Sequence, residues 1–455
     1  MRKKNKFGSI IFMLVLIAGI GGGLFVSFSP MFESDAPQVK VDNNGFWNLK
    51  VPLHVSIEDA SGIESYKVSL ISKKEKIVLV QEQLSFPEAS LSFSVEAPKR
   101  VASFKPDEVT LIVEANDASK WNLFAGNDVK ESYVMRVDTK SPRLSTLTNS
   151  MYIHKGGSGM LVFKADDPNL SELYIDTNYG KRFKPQPFYK EGYYISLVAW
   201  KITEPSFKAQ IVAKDSAGNV RKSTIPYRVR DRKYRISKIK LSDKFLDGKI
   251  AELAETFEIM DQTEDRIEQF KIINEDIRAK NEKLIHELTS VVEEEVVDSM
   301  EIKPFYPLRN GKKVASFGDH RLYYYKGAKV SESYHLGLDL ASVKMGEILT
   351  QNAGKVIYSD FNGLYGNMPA IAHGLGLYTI YGHCSSTTVH SGDDIQAGEQ
   401  VANTGMSGYA MGDHLHFGVL VQGVEVRPEE WMDKKWLKLN ITDTISDAKK
   451  IIDRQ

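Results

Sequence analysis

The chain has 455 residues with 59 basic and 59 acidic side chains, so its formal net charge is zero. That balance argues against a nucleic-acid binder, whose footprint is a basic excess. A charged fraction of 26% and a hydrophobic fraction of 42% argue against global disorder and against a polytopic membrane protein. The length suggests about three domains, and a single cysteine, Cys384, leaves no internal disulfide, thiolate zinc finger or iron–sulfur site.

Arg2, Lys3, Lys4 and Lys6 precede an uncharged run from Phe7 to Phe32, whose apolar heart is residues 10–28. About 20 such residues cross the hydrocarbon of a bilayer. Basic residues before the span, with Glu33 and Asp35 after it, predict a cytoplasmic N-terminus. Residues 1–35 are then a single-pass anchor in the inner (cytoplasmic) membrane. The bulk of the chain lies in the periplasm or extracytoplasmic space. A cleaved signal peptide is the alternative, but the run has no lipobox cysteine and no small-x-small site at the usual spacing.

Residues 36 to about 230 read as strands. Alternating stretches at 51–57, 109–113 and 160–163 are punctuated by turn clusters. A weak internal repeat is present: Val55-Ser56-Ile57-Glu58-Asp59 resembles Val162-Phe163-Lys164-Ala165-Asp166. Each repeat also has a late strand ending in an aspartate before a turn, Asp117 and Asp215. Two immunoglobulin-like β-sandwiches are predicted, 36–138 and 139–235. They are expected to act as spacers or as docking modules for cell-wall or division proteins.

Residues 249–303 contain neither Gly nor Pro, and Ile267, Phe270, Ile273, Ile277, Leu284, Leu288 and Val291 recur at helical spacing. The segment 236–303 therefore predicts two helices broken near residues 261–263, with the stripe packed inside the protein. His286-Glu287 begins a His-Glu-x-x-His pattern, but the fifth position is Ser290, so His286 reads as a helix-surface residue. The segment runs directly into the C-terminal domain and is a candidate to cover that domain's groove. Residues 304–437 change character: glycine becomes frequent, and seven of the ten histidines lie between His320 and His416. The tail is 438–455, and from Thr442 on it predicts a short polar helix.

Three short segments carry chemistry: His335-Leu336-Gly337-Leu338-Asp339, Tyr381-Gly382-His383, and His414-Leu415-His416-Phe417-Gly418. A catalytic zinc takes three nitrogen or oxygen ligands and keeps a fourth position for water. In a straight strand His335 and Asp339 would stand about 13 Å apart, too far for one ion. The chain must bend between them, and Gly337 permits it. His414 and His416 are two apart and face one side of a strand. One of them can hold a metal while the other stands beside the open position.

In this order the segments resemble the lysostaphin/LytM-type metallopeptidases, peptidase family M23. The flanks agree: Ser316, Phe317 and Gly318 with Arg321, Gly354 and Val356, Gly366-Asn367, His373-Gly374, Gly392 and Gly398, then Gly405, Ser407 and Gly408. The resemblance implies an antiparallel β core with a groove, and Zn²⁺ held by His335, Asp339 and His416, with His383 and His414 as the catalytic histidines. Two departures stand outside the ligand set, Gly418 after His-Leu-His-Phe and Cys384 after Tyr-x-His. Cys384 reads as a small buried residue, His373 and His390 as turn residues, and His320 as a residue of the groove rim. The whole is a multidomain, mainly β chain. Its expected activity is zinc-dependent endopeptidase action on the peptide cross-links of bacterial peptidoglycan. The alternative is a non-catalytic regulator or scaffold of cell-wall hydrolases.

Overall fold

The computed structural model describes residues 6–73 and 75–454. Arg2, Lys3 and Lys4, on which the expected membrane orientation leans, lie outside the described residues. The chain divides into two units. One is built on the residues up to Pro142 with Asp167–Ser171 and Lys214–Val220. The other is built on Arg143–Asp166, Glu172–Ala213 and Arg221–Gln455.

In the first unit, Lys6–Phe28 form a helix. Its 19-residue apolar run, Ile10–Phe28, is long enough to cross a membrane and is not buried against the protein. The next strands form one sheet in the order Gln38–Val41, Leu53–Ser72, Glu108–Asp117, Asp128–Val137, Phe46–Trp47, with Glu75–Val95 also paired to Leu53–Ser72. Alternation builds the core, because side chains two apart share a face. Val109, Leu111, Val113 and Ala115 point inward with Val55, Ile57, Val68 and Met135. Asp117 continues that inward series and is fully satisfied. Its carboxylate accepts from Ser119 N, Asn127 N and Asn127 Nδ2. Asp215, the matching residue of the sequence repeat, accepts from Asn219 N and Asn219 Nδ2. The repeated aspartate is thus a turn bracket at the end of a strand.

Residues 143–235 carry two four-stranded sheets. Their orders are Gln186–Pro187, Tyr193–Ala199, Ser158–Asp166, Arg143–Asn149 and Arg182–Phe183, Leu170–Thr177, Ala209–Asp215, Val220–Thr224. The second unit holds an eight-stranded sheet, in the order Lys312–Ala315, Leu338–Ala341, Leu415–Val421, Leu377–Gly382, Asn367–Ala372, Gly354–Phe361, Asp394–Ile395, with Val424–Val426 paired to Leu415–Val421. Every pairing in it is antiparallel. Leu415–Val421 is buried along its whole length. Gly418 sits there because a Cβ would lie 2.5 Å from Ile380 across the ladder.

The helical segment breaks between Thr256 and Arg266, as the sequence predicts, and ends at Leu288 rather than continuing through Val291. Val291 is accordingly exposed, while Phe270, Ile273, Leu253 and Ile250 pack on Tyr323 and Leu364. The tail is a correction. Asp443–Ile452 is a helix, but not a polar one: Ile445, Ala448 and Ile452 are buried. It is tied down by Thr148 Oγ1, which donates to Thr444 O at 2.9 Å.

Glu430 anchors the same seam. It is buried, and its carboxylate meets His154 Nδ1 at 3.1 Å and accepts from Ser158 N at 3.2 Å. Gly157 leaves it room, since a Cβ there would fall 2.5 Å from Oε2 and push the carboxylate aside. Replacing Glu430 with Ala leaves the buried Ser158 N–H unpaired. Denaturant or thermal unfolding is expected to show a loss of about 1.5–3 kcal/mol; an unshifted midpoint would mean that the carboxylate holds nothing together.

Candidate active site

The strand ladder assembles the site. Asp339 pairs directly with His416, and His416 pairs on its other side with Gly382, the residue before His383. Three residues from separated parts of the chain therefore stand side by side on neighbouring strands. His335 joins them from the bend ahead of Leu338–Ala341, where Gly318 N donates to His335 O and His335 N donates to Asp319 O. The bend brings His335 Nε2 to 2.9 Å from Asp339 Oδ1, against the long separation of a straight strand. His416 Nδ1 is 2.9 Å from the same oxygen and 3.1 Å from His335 Nε2.

These donors suit a cation. His335 Nδ1 lies 2.9 Å from Ser316 O; a carbonyl only accepts, so Nδ1 carries the hydrogen and Nε2 of the neutral ring is a lone pair. That lone pair faces a second imidazole nitrogen and a carboxylate oxygen, a convergence that needs positive charge between them. Burial would raise Asp339, but positive charge at the His335 and His416 positions holds it well below the usual carboxylate range, so the carboxylate also calls for a cation in that space. Two nitrogens and one oxygen leave room for a fourth, exchangeable position, so the residues present fit zinc. Two other groupings, Glu33–Asp59–Asp117 and Asp138–Asp167–Asp215, are wholly acidic and lack imidazole.

His383 and His414 stand beside the trio, with ring centroids 4.8 Å apart. Backbone carbonyls orient both rings: Ser407 O accepts from His383 Nδ1 at 2.9 Å, and Gly412 O from His414 Nδ1 at 2.7 Å. Each neutral ring then keeps Nε2 as an acceptor, and that of His414 is 3.8 Å from Asp339 Oδ2. Burial, with His414 and His416 close by, pushes His383 down to about 3, so it stays neutral at physiological pH. Its backbone has φ 65°, a left-handed conformation unusual outside glycine. His383 N donates to Tyr365 O at 2.7 Å and holds that conformation in place.

A cavity of about 450 Å³ opens over these residues. Ile239, Leu241, Phe245 and Arg278 line one side, and Tyr334, Leu364, Tyr409 and Met411 other parts. The segment preceding the C-terminal region thus supplies part of the cavity lining, with Ile239, Leu241, Phe245 and Arg278 among the residues that surround the histidines. Arg278 and Phe245 had no signal in the sequence, because no motif of theirs abuts the histidine segments; Tyr409 directly follows Gly408 of the flanking motif but was not singled out. Arg321, noted beside Gly318, also lines the cavity.

The remaining histidines separate cleanly. His320 stacks on Tyr334 of the cavity wall, centroids 4.3 Å apart, and so stands at the rim. His373 bonds Ala353 O and Thr379 Oγ1, and His390 is an exposed turn residue. His286 is more than a surface residue, since its Nε2 meets the buried Glu425 at 2.6 Å. Cys384 is fully buried, and burial pushes its thiol up to about 12, which removes it as a nucleophile.

Residues 333–428 match the family model of peptidase family M23. DD-carboxypeptidase/endopeptidase Mpg of Neisseria meningitidis is 30% identical over 94 residues, 21% of this chain and 22% of its own. Murein hydrolase activator EnvC of Escherichia coli is 30% identical over 98 residues, 22% of this chain and 23% of its own. The chain therefore spans under a quarter of the length of these curated relatives. A solved structure of a putative peptidase M23 from Pseudomonas aeruginosa aligns with TM-score 0.38 and 17% identity, covering 63% of this chain and 96% of that one.

Proposed function

We propose, for a chain whose residues 333–428 are a peptidase family M23 domain, that it is a zinc-dependent endopeptidase acting on the peptide cross-links of bacterial peptidoglycan. The observation that carries this reading is the convergence of His335 Nε2, Asp339 Oδ1 and His416 Nδ1 within 3.1 Å of one another, with His383 and His414 oriented beside them. His335, Asp339 and His416 would hold the zinc. Bound there, the ion supplies Lewis acidity toward water and the scissile carbonyl. His414, anchored through Nδ1, presents Nε2 to accept a proton from the attacking water and to return it to the leaving amine, while His383, held neutral, accepts a hydrogen bond from that water through Nε2. Once protonated, His414 donates to the developing oxyanion. The cavity over the site takes an extended peptide. The apolar helix at Lys6–Phe28 would anchor the chain in the cytoplasmic membrane and turn the enzyme toward the wall. The segments 36–138 and 139–235 serve in this reading as immunoglobulin-like spacers or as docking modules for other envelope proteins.

A second reading has one finding in its favour, the similarity to a murein hydrolase activator. In that reading the domain regulates other hydrolases and does no chemistry. One experiment separates the two: purified peptidoglycan is incubated with the zinc-loaded chain, with and without a chelator, and the muropeptides are read by mass spectrometry. The endopeptidase reading expects cross-linked dimers to disappear and the chelator to stop their loss. Unchanged dimers with folded, zinc-loaded protein would favour the activator.

A further inference from the structure

The first unit carries exposed apolar side chains at the end where the N-terminal helix enters it. We propose that Trp121, Leu123 and Phe124, with Phe86, seat in the interfacial layer of the lipid bilayer that this helix crosses. The inference rests on the reading of Lys6–Phe28 as a membrane anchor.

Hydrogen bonds fix the position of this apron. The helix ends at Phe28, and three residues later Met31 O accepts from Lys120 N at 2.6 Å. Glu33 O accepts from Ser119 Oγ at 2.8 Å and Asn127 Nδ2 at 3.2 Å, so both flanks of the 120–126 loop are laced to the chain leaving the helix. Glu33 Oε1 also accepts from Ser61 N, and Gly62 O from Ala118 N. A Cβ on Gly62 would lie 2.8 Å from Pro87 Cβ, which places Phe86 at the same end of the unit.

The side chains there are unusually bare. Leu123 is 95% exposed, Phe86 81%, Phe124 73% and Trp121 45%. Asn122, Leu123 and Phe124 all have positive φ, a conformation uncommon outside glycine, and the exposure of Leu123 and Phe124 shows that the tip stands off the core. Apolar groups gathered this way are uncommon on a purely aqueous surface.

Continuity with the helix identifies the occupant. The apolar run Ile10–Phe28 has 19 residues and at 1.5 Å each reaches about 28 Å, close to the thickness of the hydrocarbon. Phe28 then marks its outer boundary. Three further residues extend at most about 10 Å, so Met31 and the Lys120 it binds lie at headgroup depth. Trp favours that layer, where an apolar body with a polar tip meets polar surroundings, and Phe and Leu insert at the acyl boundary beneath it. The exposed Lys120 beside the tip can reach lipid phosphates. Seated there, the loop would add a second contact to the helix and fix the tilt of the first unit on the membrane.

The test uses the full chain in phosphatidylcholine–phosphatidylglycerol vesicles, with and without brominated acyl chains. The native Cys384 is fully buried, so a cysteine introduced by Leu123→Cys takes an environment-sensitive fluorophore selectively. Val78→Cys, also exposed and near the opposite end of the strands, is the control. The expected result is blue-shifted emission at position 123 that brominated lipid quenches at least twofold, with position 78 unaffected. Unlabelled chain gives an independent readout: brominated lipid should quench tryptophan emission in the wild type and lose that effect in Trp121→Phe. If the chain stays in the vesicles through alkaline carbonate yet positions 123 and 78 behave alike, the inference is overturned while the anchor stands. If carbonate strips the chain off, the anchor reading fails and the inference falls with it.

Discussion

Replacing His335 with Ala is expected to remove zinc and hydrolysis together, whereas replacing His383 with Ala should remove hydrolysis and leave the zinc in place. The difference comes from position. His335 Nε2 is one corner of the three-donor cluster, 2.9 Å from Asp339 Oδ1 and 3.1 Å from His416 Nδ1. Without it two donors remain, and two hold a divalent ion poorly. The rate should fall by about 10³-fold or more, since the ion's Lewis acidity contributes several kcal/mol to the transition state. His383 lies outside the cluster, with its Nδ1 on Ser407 O. Its loss costs the hydrogen bond that orients the attacking water, about 10²-fold. Metal analysis of the purified variants beside muropeptide release checks both. A His335→Ala variant that kept stoichiometric zinc, or a His383→Ala variant that cut at the wild-type rate, would break the assignment. The same pair of variants tests the activator reading, in which neither changes hydrolysis by the domain itself.

Gly337→Ala is expected to damage the site almost as much, although Gly337 presents no chemical group. A Cβ there would stand 2.4 Å from His416 Nε2, 2.5 Å from its Cε1 and 2.9 Å from Phe417 O. The backbone of Leu415–Val421 is buried in the sheet and cannot retreat. The imidazole must swing instead and carry Nδ1 away from Asp339. Zinc affinity should drop about 10–100-fold, the range seen when the support of a ligand is lost. Overpacking should cost about 1–3 kcal/mol of stability. Gly248→Ala, where a Cβ meets nothing within 4 Å, serves as the control. Competition with a chromogenic chelator measures the affinity, and wild-type affinity in Gly337→Ala would refute the clash.

Some of this was readable before any fold was known. His335, Asp339, His383, His414 and His416 stand in three compact segments because each segment must place its donor at one strand end or bend. The two-residue period of a strand puts His414 and His416 on one face, and the required bend after His335 falls at Gly337. The N-terminal helix was readable for a similar reason, since an uncharged run of that length has few other uses. The polar reading of the tail went wrong because Ile445, Ala448 and Ile452 are sparse among charges. Their i, i+3, i+7 spacing is helical all the same, so this apolar face was legible in the sequence and was missed. Val291 continued a helical period in sequence, but the helix ends at Leu288.

The sequence by itself determined the chemistry on offer: which donors exist, at what spacing, behind what apolar leader. It did so because those properties are local, set by side-chain identity and the period of strand or helix. Tertiary structure alone decided that Asp339 and His416 are cross-strand partners, that Phe245 and Arg278 wall the cavity, that His286 meets Glu425, and that the Trp121 loop is bonded to the exit of the helix. Each of these joins residues far apart along the chain. Such pairings arise from strand order and from the burial of whole elements, which no local pattern of residues specifies.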